Sequence, residues 1–402
     1  MALRRLKSLF ASLLIVVLLL GGITLLGSAS RVSAAAALSS VGHVYTLDNN
    51  LTSPNSITVF NRAGDGTLTF AGATSIGGLG SISAFTTTAA GSQGSLILSR
   101  DRTRLFAVDA GSNQVSVVAV HDGHLSLLGV FSSGGTGPVS LTYQDGLLYV
   151  LNAANNQPEA ANLAGFRVLA NGTLVPIPGA TKALSTAHPD PAEVLIDPTR
   201  QYLLVTEKAT NLIDVFRIHS DGSLSNLTTF PSVGSLPFGF AFNRARSVEQ
   251  FIVADGVAET DGTGALTAYL LADGSVRLIN GPAPDHQIAP CWVVITNNGR
   301  FAYTSNADSH AISGYRIHED GAISLLTPGG VTGATPADTF PLEEALSRDS
   351  RFLYVLDSRL LLLPPGQATL SGFRIAPNGS LTPVAGTTNI VLTVTAIGLA
   401  AD

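Results

Sequence analysis

Two glutamates in the sequence have the surroundings expected of a general acid or base. Glu193 and Glu343 each stand two residues after a proline in an otherwise apolar segment, in Pro191-Ala-Glu and Pro341-Leu-Glu. A carboxyl group in such a segment is partly desolvated, so its pKa is expected to rise toward the range that suits proton transfer. The structural alternative is that each carboxylate pairs with an arginine or accepts backbone N–H groups.

A histidine and an aspartate complete the candidate catalytic set. His188 precedes the segment that holds Glu193, and histidine titrates near neutral pH, although lone histidines in loops are usually solvated. Asp255 ends an apolar run, and comparable runs also end in Asp, Asn or Glu, so its alternative role is a local hydrogen bond to the backbone. The residues at this position are Asp48, Asp109, Asn152, Glu207, Asp255, Asn306 and Asp357.

The only cysteine and the only tryptophan are neighbours, Cys291 and Trp292. The tryptophan could stack on a ligand, with packing as the alternative, and the cysteine has no neighbour in the sequence that would activate it as a nucleophile. The sequence contains no nucleophile elbow, no phosphate-binding glycine loop, no metal-binding helix motif and no calcium loop. We therefore expect neither a metal nor a cofactor.

A repeated phrase indicates which elements must position these residues. Seven times, an alternating apolar run precedes an Asp-Gly or Asn-Gly pair, at intervals of roughly 50 residues, which is a spacing typical of propeller blades or solenoids. Such pairs tolerate positive φ and predict two-residue hairpin turns. The pairs are Asp65-Gly66, Asp122-Gly123, Asn171-Gly172, Asp221-Gly222, Asp273-Gly274, Asp320-Gly321 and Asn378-Gly379.

A second phrase alternates with the first. It consists of an apolar strand that opens on proline or glycine, a polar turn and another strand, as in Pro191–Asp197 followed by Tyr202–Glu207. Each period therefore holds four strands. The sequence predicts an all-β fold, a single seven-bladed β-propeller over residues 35–402, with the proline-led strand innermost in each blade.

Both termini are expected to build the last blade. Thr395–Ala401 has the pattern of an inner strand, and His43–Asp48 has that of its missing partner, so their pairing would remove two open sheet edges. We call the side with the hairpin turns and the polar turns the turn face. The opposite side, with the irregular connections, is the loop face, where binding residues are expected.

The N-terminus has the features of an export signal. Arg4, Arg5 and Lys7 precede a long apolar stretch, Leu13–Leu26, and Val32-Ser-Ala34 offers a cleavage site. Residues 1–34 are therefore interpreted as a signal peptide. The alternative is an uncleaved membrane anchor, because the apolar stretch approaches the length that spans a bilayer.

Composition limits the possible partners. The formal net charge is −6 and no basic cluster stands out in the sequence, so nucleic acid is not an expected partner. A single cysteine excludes an internal disulfide. We expect a secreted or extracytoplasmic monomer that binds a small-molecule ligand or a surface protein, and that touches membrane only through an uncleaved N-terminal segment.

Four stretches resemble the lactonase family of seven-bladed propellers, which includes bacterial 6-phosphogluconolactonase and fungal carboxymuconate-lactonising enzyme. They are Asp197–Asn211, Pro237–Phe242, Cys291–Tyr303 and Ala345–Tyr354, and they are most similar to an exported bacterial branch. The resemblance covers the chain after the N-terminal segment. It implies a propeller fold and the hydrolysis of a lactone.

The catalytic residues that the resemblance implies are only partly present. By register, the family's histidine, arginine and glutamate positions are Ala192, Phe238 and Asp255 in this sequence. A carboxylated or phosphorylated lactone needs a fixed cation, so a phenylalanine at the arginine position implies an uncharged or apolar ligand.

Two hypotheses follow for the function. The first is a divergent lactonase that hydrolyses an uncharged lactone, with Glu193 or His188 as the base acting on water and with Asp255 and Glu343 in support at the loop-face mouth of the channel. The second is a non-catalytic propeller that binds a small molecule or a surface protein through the same face. The substitution Glu193→Gln should abolish turnover under the first hypothesis only.

Overall fold

A computed structural model describes residues 40–81, 93–154, 157–257, 264–359 and 366–402. Within these ranges, antiparallel strands form seven sheets that are arranged as the blades of a propeller, which confirms the predicted fold. None of the described residues belongs to a helix that is long and apolar enough to cross a bilayer. The predicted signal segment, residues 1–34, lies outside the described residues.

The strands of the first four blades have the following bounds. Blade 1 contains β1 (Gly42–Leu47), β2 (Asn55–Arg62) and β3 (Leu68–Gly77). Blade 2 contains β4 (Leu96–Leu98), β5 (Arg104–Asp109), β6 (Gln114–His121) and β7 (His124–Ser132). Blade 3 contains β8 (Pro138–Gln144), β9 (Leu147–Asn152), β10 (Asn162–Val168), β11 (Leu174–Pro176) and β12 (Lys182–Ala183). Blade 4 contains β13 (Pro191–Ile196), β14 (Tyr202–Glu207), β15 (Leu212–Arg217) and β16 (Thr228–Pro231).

The remaining blades follow the same order. Blade 5 contains β17 (Ser235–Phe242), β18 (Glu249–Val257), β19 (Ala265–Ala272) and β20 (Ser275–Pro284). Blade 6 contains β21 (Pro290–Ile295), β22 (Phe301–Asn306), β23 (Ala311–Ile317), β24 (Ile323–Leu325) and β25 (Val331–Ala334). Blade 7 contains β26 (Phe340–Leu346), β27 (Phe352–Arg359), β28 (Gly366–Ile375) and β29 (Leu381–Pro383), and β30 (Leu399–Ala401) returns to blade 1. In the described part of the chain, two single turns of 3₁₀ helix occupy Ala307–Ser309 and Thr387–Asn389.

Both termini build blade 1, as the sequence predicts. Strand β30 pairs antiparallel with β1 and lies innermost, so the ring is closed by hydrogen bonds between the two ends of the described chain. The strand is shorter than the predicted Thr395–Ala401, because Gly398 adopts a left-handed φ of 91°. Beyond β30, the carboxylate of Asp402 accepts the backbone N–H of His43.

The hairpin turns are of two kinds. Both residues of the pair have positive φ only in Asp122-Gly123 and Asp273-Gly274, which are two-residue turns. In the other five pairs only the glycine has positive φ. At Asp221-Gly222, for example, the N–H of His219 donates to the carbonyl of Ser223, and the Asp221 carboxylate accepts the Ser223 N–H. The prediction of two-residue turns was wrong for these five, because the Asp or Asn side chain binds backbone two residues on and stabilises a three-residue loop.

The core lies between neighbouring blades and is dominated by large buried side chains. Tyrosines on second strands fix one blade to the next. The hydroxyl of Tyr303 in blade 6 donates to the carbonyl of Gly379 in blade 7 at 2.8 Å. The hydroxyl of Tyr354 in blade 7 donates to Gly66 of blade 1 at 2.8 Å, and Tyr149 makes the same bond from blade 3 to blade 4. These bonds hold the scaffold on which the inner strands face the channel.

Candidate functional site

One register position of the inner strands forms a ring around the channel. We call the residues at this position the inner ring. A β-bulge at or beside this position interrupts the pairing of five inner strands, and bulges of this kind redirect side chains near functional sites. The members of the inner ring are Gly398, Ser95, Ser140, Glu193, Gly239, Trp292 and Glu343.

Polar members of the inner ring bind the inner strand of the next blade. Glu193 of blade 4 accepts the N–H of Phe240 in blade 5 at 2.5 Å. Glu343 of blade 7 accepts the N–H of Leu399 in β30 at 2.9 Å. Each carboxylate therefore accepts a backbone N–H that would otherwise face the channel unpaired. Acceptance of backbone N–H groups is the structural alternative to catalysis that the sequence analysis gave for these two glutamates.

A glutamine crosses the channel at this level. Gln93, just before β4 in blade 2, donates from Nε2 to the carbonyl of Val293 in blade 6 at 2.9 Å and accepts the Val293 N–H at 3.0 Å. The backbone carbonyl of Gln93 accepts the hydroxyl of Ser140 at 2.6 Å. The side chain thus joins blades that are not neighbours and fills part of the channel.

Apolar side chains pack on the loop-face side of the inner ring. None is more than 5% exposed, and they belong to a single hydrophobic cluster with Trp292. They are Ala192, Phe238, Cys291, Leu342 and Ile397. Trp292 lies tilted against Phe238 at 5.1 Å between ring centroids, and burial raises the pKa of the Cys291 thiol. Both residues therefore have packing environments rather than the open surface that ligand stacking or nucleophilic attack requires.

Glu193 is buried within this sealed part of the channel, with 1% of its surface exposed. Burial raises the pKa of Glu193 well above its ordinary value, and the nearby carboxylate of Glu343 raises it further, against the stabilising N–H of Phe240. This environment favours the protonated form of Glu193 more than water does.

Glu343 has a different environment on the other side of the channel. Burial raises its pKa to about 7, although the hydroxyl of Ser95 and the N–H of Leu399 favour its ionised form. The Ser95 hydroxyl donates to Glu343 at 2.6 Å. The same serine lines a small cleft beside the channel, with Asn49, Ala110 and Ile397 among its other walls. The cleft has space for about one water molecule.

Asp255 belongs to a set of acids that bind hydroxyl groups on the third strand. Its carboxylate accepts the hydroxyl of Thr267, and burial raises its pKa to about 8. Ser116 donates in the same way to Asp109 at 2.6 Å, and Ser371 donates to Asp357 at 2.5 Å. The sequence predicted bonds to local backbone here, whereas the principal partner is a side chain on the neighbouring strand. Asp255 repeats a structural pattern of the other blades.

Blade 4 departs from this pattern. At the position of the hydroxyl it carries Asp214, which is fully buried beside Glu207. Glu207 accepts the N–H and hydroxyl of Ser185 and the hydroxyl of Thr210. Burial and the charge of Glu207 raise the pKa of Asp214 to about 9, so Asp214 carries a proton at neutral pH. In that form Asp214 could donate its proton to the neighbouring Glu207 carboxylate.

His188 lies exposed in the connection between β12 and β13, apart from the buried acids. Two residues on, Asp190 pairs with Lys208 at 3.2 Å, and the Lys208 ammonium lies 4.5 Å from the centre of the Phe238 ring. Lys208 is only 7% exposed. The sequence reasoning missed this cation, although Lys208 is one of three lysines in the chain and directly follows the acid that ends β14.

The four predicted catalytic residues therefore do not form one cluster. Glu193 and Glu343 share the channel, Asp255 lies near the end of the second strand of blade 5, and His188 lies on an exposed loop. Among the described residues, no three His, Cys, Asp or Glu side chains are placed so that they could hold a metal ion.

Comparison with known proteins supports the fold. No protein-family model and no curated protein matches the sequence. A Bacteroides fragilis protein provisionally described as a 6-phosphogluconolactonase matches with 19% identity and a TM-score of 0.63, over 90% of this chain and 98% of its own. A Pseudomonas aeruginosa protein described as a periplasmic gluconolactonase matches with 18% identity and a TM-score of 0.64, over 89% and 99%.

A third solved structure shares the fold under another description. A Sulfolobus tokodaii protein described as a hypothetical selenium-binding protein matches with 11% identity and a TM-score of 0.64, over 89% of this chain and 92% of its own. The resemblance to lactonase-type propellers is thus confirmed at the level of the fold. Because one fold can carry unlike functions, activity has to be inferred from the site.

Proposed function

We propose that this protein is an exported, lactonase-like propeller that hydrolyses an uncharged lactone at the loop-face mouth of the channel, where the cleft beside Ser95 would hold the attacking water and Glu343 would be the general base. The observation that supports this most strongly is the Ser95–Glu343 hydrogen bond of 2.6 Å, which links the cleft to a buried carboxylate. With a pKa of about 7, Glu343 suits proton transfer near neutral pH. The shared fold with proteins described as lactonases adds support.

The proposed reaction moves one proton through the serine. Water in the cleft attacks the lactone carbonyl and gives its proton to the Ser95 oxygen, while the Ser95 proton passes to Glu343. As the ring C–O bond breaks, the proton returns by the same route to the leaving alkoxide. The product is a hydroxy acid, which ionises and releases one proton to solution. Glu193, which accepts the Phe240 N–H, stays outside this relay.

An uncharged substrate suits the loop-face side of the channel better than an anionic one. The apolar residue Phe238 occupies the place where the resemblance implies an arginine. The ammonium of Lys208 near it is already paired with Asp190. An anionic lactone would have to compete with that carboxylate for the cation, whereas a neutral lactone would not.

Proton release by the purified protein against a panel of neutral, carboxylated and phosphorylated lactones tests the proposal. We expect turnover of a neutral lactone that is lost in Glu343→Gln and strongly reduced in Ser95→Ala. Glu193→Gln is the matched control, because it makes the same change of carboxyl group to amide at the other glutamate of the inner ring. Turnover that disappears in Glu193→Gln but survives in Glu343→Gln would contradict the assignment of the base.

A non-catalytic binding module is the second candidate function. The seal formed by Gln93 and the apolar cluster around Phe238 favours it, because this part of the channel is filled by the protein itself. In that case the protein would melt cooperatively and would turn over no lactone. Its melting temperature would rise with a small-molecule ligand or surface protein that binds the loop face.

Export rests on residues 1–34, which have the pattern of a signal peptide. The similarity to a Pseudomonas aeruginosa protein described as periplasmic is in line with it. Fractionation of cells that express the whole chain, with mass determination of the N-terminus, would separate a cleaved and exported protein from a retained one.

A further inference from the structure

The inner strand of each blade has an edge that faces the channel, where backbone N–H and C=O groups need partners. In several blades a side chain of the preceding blade's inner ring supplies one. Ser140 accepts the N–H of Val194 at 3.2 Å, and Glu193 accepts the N–H of Phe240 at 2.5 Å. A side chain as short as serine is therefore long enough to make this bond.

Blade 5 lacks such a side chain, because its inner-ring residue is Gly239. The N–H of Val293, on the next inner strand, is bound instead by Gln93 from the other side of the channel. The Gln93 amide oxygen lies 3.0 Å from the Val293 nitrogen, and the amide nitrogen lies 2.9 Å from the Val293 oxygen. A Cβ atom at Gly239 would lie only 2.5 Å from the Gln93 oxygen, so the glycine leaves the room that the amide occupies.

The Val293 backbone therefore recognises an amide group at this place. Its N–H and C=O bind the two ends of one planar group, in the way that the edge of a sheet binds an added strand. The site requires a neutral group with an acceptor beside a donor, which primary amides and lactams provide. A carboxylate would face the Val293 carbonyl oxygen and an ammonium would face the N–H, so either charge would be desolvated without a complete set of partners.

Two features distinguish this contact from the other bonds around the channel. Gln93 is partly exposed, whereas Glu193 and Trp292 are buried, so solvent reaches the Gln93 side chain. The indole N–H of Trp292, the residue before Val293, is buried and has no hydrogen-bond partner among the described residues. A buried donor left unpaired is costly, and a bound water or ligand is its usual partner.

We propose that the Val293 backbone beside Gly239 is a binding subsite for a neutral molecule that carries a primary amide or lactam group, and that Gln93 closes this subsite as an intramolecular occupant. A ligand has to displace the Gln93 amide, which then turns toward solvent. Neither Ser95 nor Glu343 takes part in this binding, so the proposal is independent of the catalytic assignment.

The chain contains a single tryptophan, and it adjoins Val293, so the fluorescence of Trp292 reports on the subsite directly. The probe is 2-piperidone, a lactam whose N–H and C=O lie on one edge. N-methyl-2-piperidone is the matched control probe, because a methyl group replaces the donor. Both are titrated into the whole chain, into Gln93→Ala and into Gln201→Ala, the matched control variant, since Gln201 lies exposed in the turn between β13 and β14.

We expect a saturable change of Trp292 emission when 2-piperidone is added to Gln93→Ala. A neutral hydrogen bond contributes about fivefold to affinity, so N-methyl-2-piperidone should bind this variant about fivefold more weakly. The unchanged protein should need about 25-fold more 2-piperidone, because the probe has to replace the two hydrogen bonds of Gln93. Gln201→Ala should behave like the unchanged protein.

A second variant, Gln93→Asn, has an amide one methylene group shorter and should respond as Gln93→Ala does, with a smaller loss of volume. The proposal would be overturned if neither variant, melting cooperatively, gave a saturable response to 2-piperidone. Equal responses to the two probes, or equal affinities of Gln93→Ala and the unchanged protein, would overturn it as well. The titration involves no lactone turnover, so its failure is distinct from a failure of the proposed hydrolysis.

Discussion

Replacing Asp214 by asparagine should change how the stability of the propeller depends on pH. The pKa of Asp214 is raised to about 9 in the folded protein by burial and by Glu207, against 3.8 for the free group. Between these two values the folded state binds one proton more than the unfolded state, so stability falls as pH rises. Asparagine has the same shape, can donate to Glu207 and does not titrate, so the variant should lack this part of the pH dependence.

The size of the effect follows from proton linkage. One extra bound proton changes the free energy of unfolding by about 1.4 kcal/mol per pH unit, so from pH 5 to pH 8 the Asp214 carboxyl accounts for about 4 kcal/mol. For a propeller of this length, the entropy of unfolding converts that difference to about 5 °C in melting temperature. Other buried acids, such as Asp109 and Asp357 with pKa values of about 7, contribute the same background slope to both proteins.

Melting temperatures of the unchanged protein and of Asp214→Asn, recorded by circular dichroism at several values between pH 5 and pH 8, provide the assay. Relative to the unchanged protein, the variant should gain about 5 °C in melting temperature between pH 5 and pH 8. Asp221→Asn is the matched control in the same blade, because Asp221 is exposed and its substitution should leave the pH dependence in this range unchanged. Parallel curves for Asp214→Asn and the unchanged protein would refute the reasoning.

Three further changes test the closure and packing of the ring. Deleting residues 395–402 removes β30 and the Leu399 N–H that donates to Glu343. The cooperative melt should then be lost, and proteases should cleave blade 1. An unaltered melt would contradict ring closure. Tyr354→Phe removes the 2.8 Å hydrogen bond to Gly66 and should cost about 1–2 kcal/mol in urea unfolding, and no loss would mean that the bond contributes nothing. Glu344→Leu should stabilise the protein by about 1–3 kcal/mol in the same assay, because neither Glu344 oxygen has a hydrogen-bond partner among the described residues; a destabilised variant would indicate a partner for this carboxyl group.

The fold could be predicted from the sequence because its signals are local and repeat in every blade. A glycine with positive φ marks each hairpin, and five inner strands have a proline among their first three residues. A blade with a weak pattern can therefore be recognised by comparison with the others. The turn type was less predictable. Whether Asp-Gly forms a two-residue or a three-residue loop depends on the residues that flank it and on the hydrogen bond of the aspartate side chain.

The site was less predictable because its contacts join residues that lie far apart in the chain. Gln93 binds Val293 across the channel, and Ser95 binds Glu343, pairs that no periodicity connects. The sequence identified Glu343 as a buried acid but could not show that a serine links it to a cleft.

The dependence of kcat/KM on pH for a neutral lactone tests the assignment of Glu343 most directly. With Glu343 as the base, the rate should rise with pH through an apparent pKa near 7 and then level off. The reason is that burial raises the pKa of Glu343 to about 7 in the folded protein. That rise should persist in Glu193→Gln and vanish in Glu343→Gln together with most of the activity. A rise that stays in Glu343→Gln, or a rate that does not change with pH around 7 in the unchanged protein, would contradict the assignment.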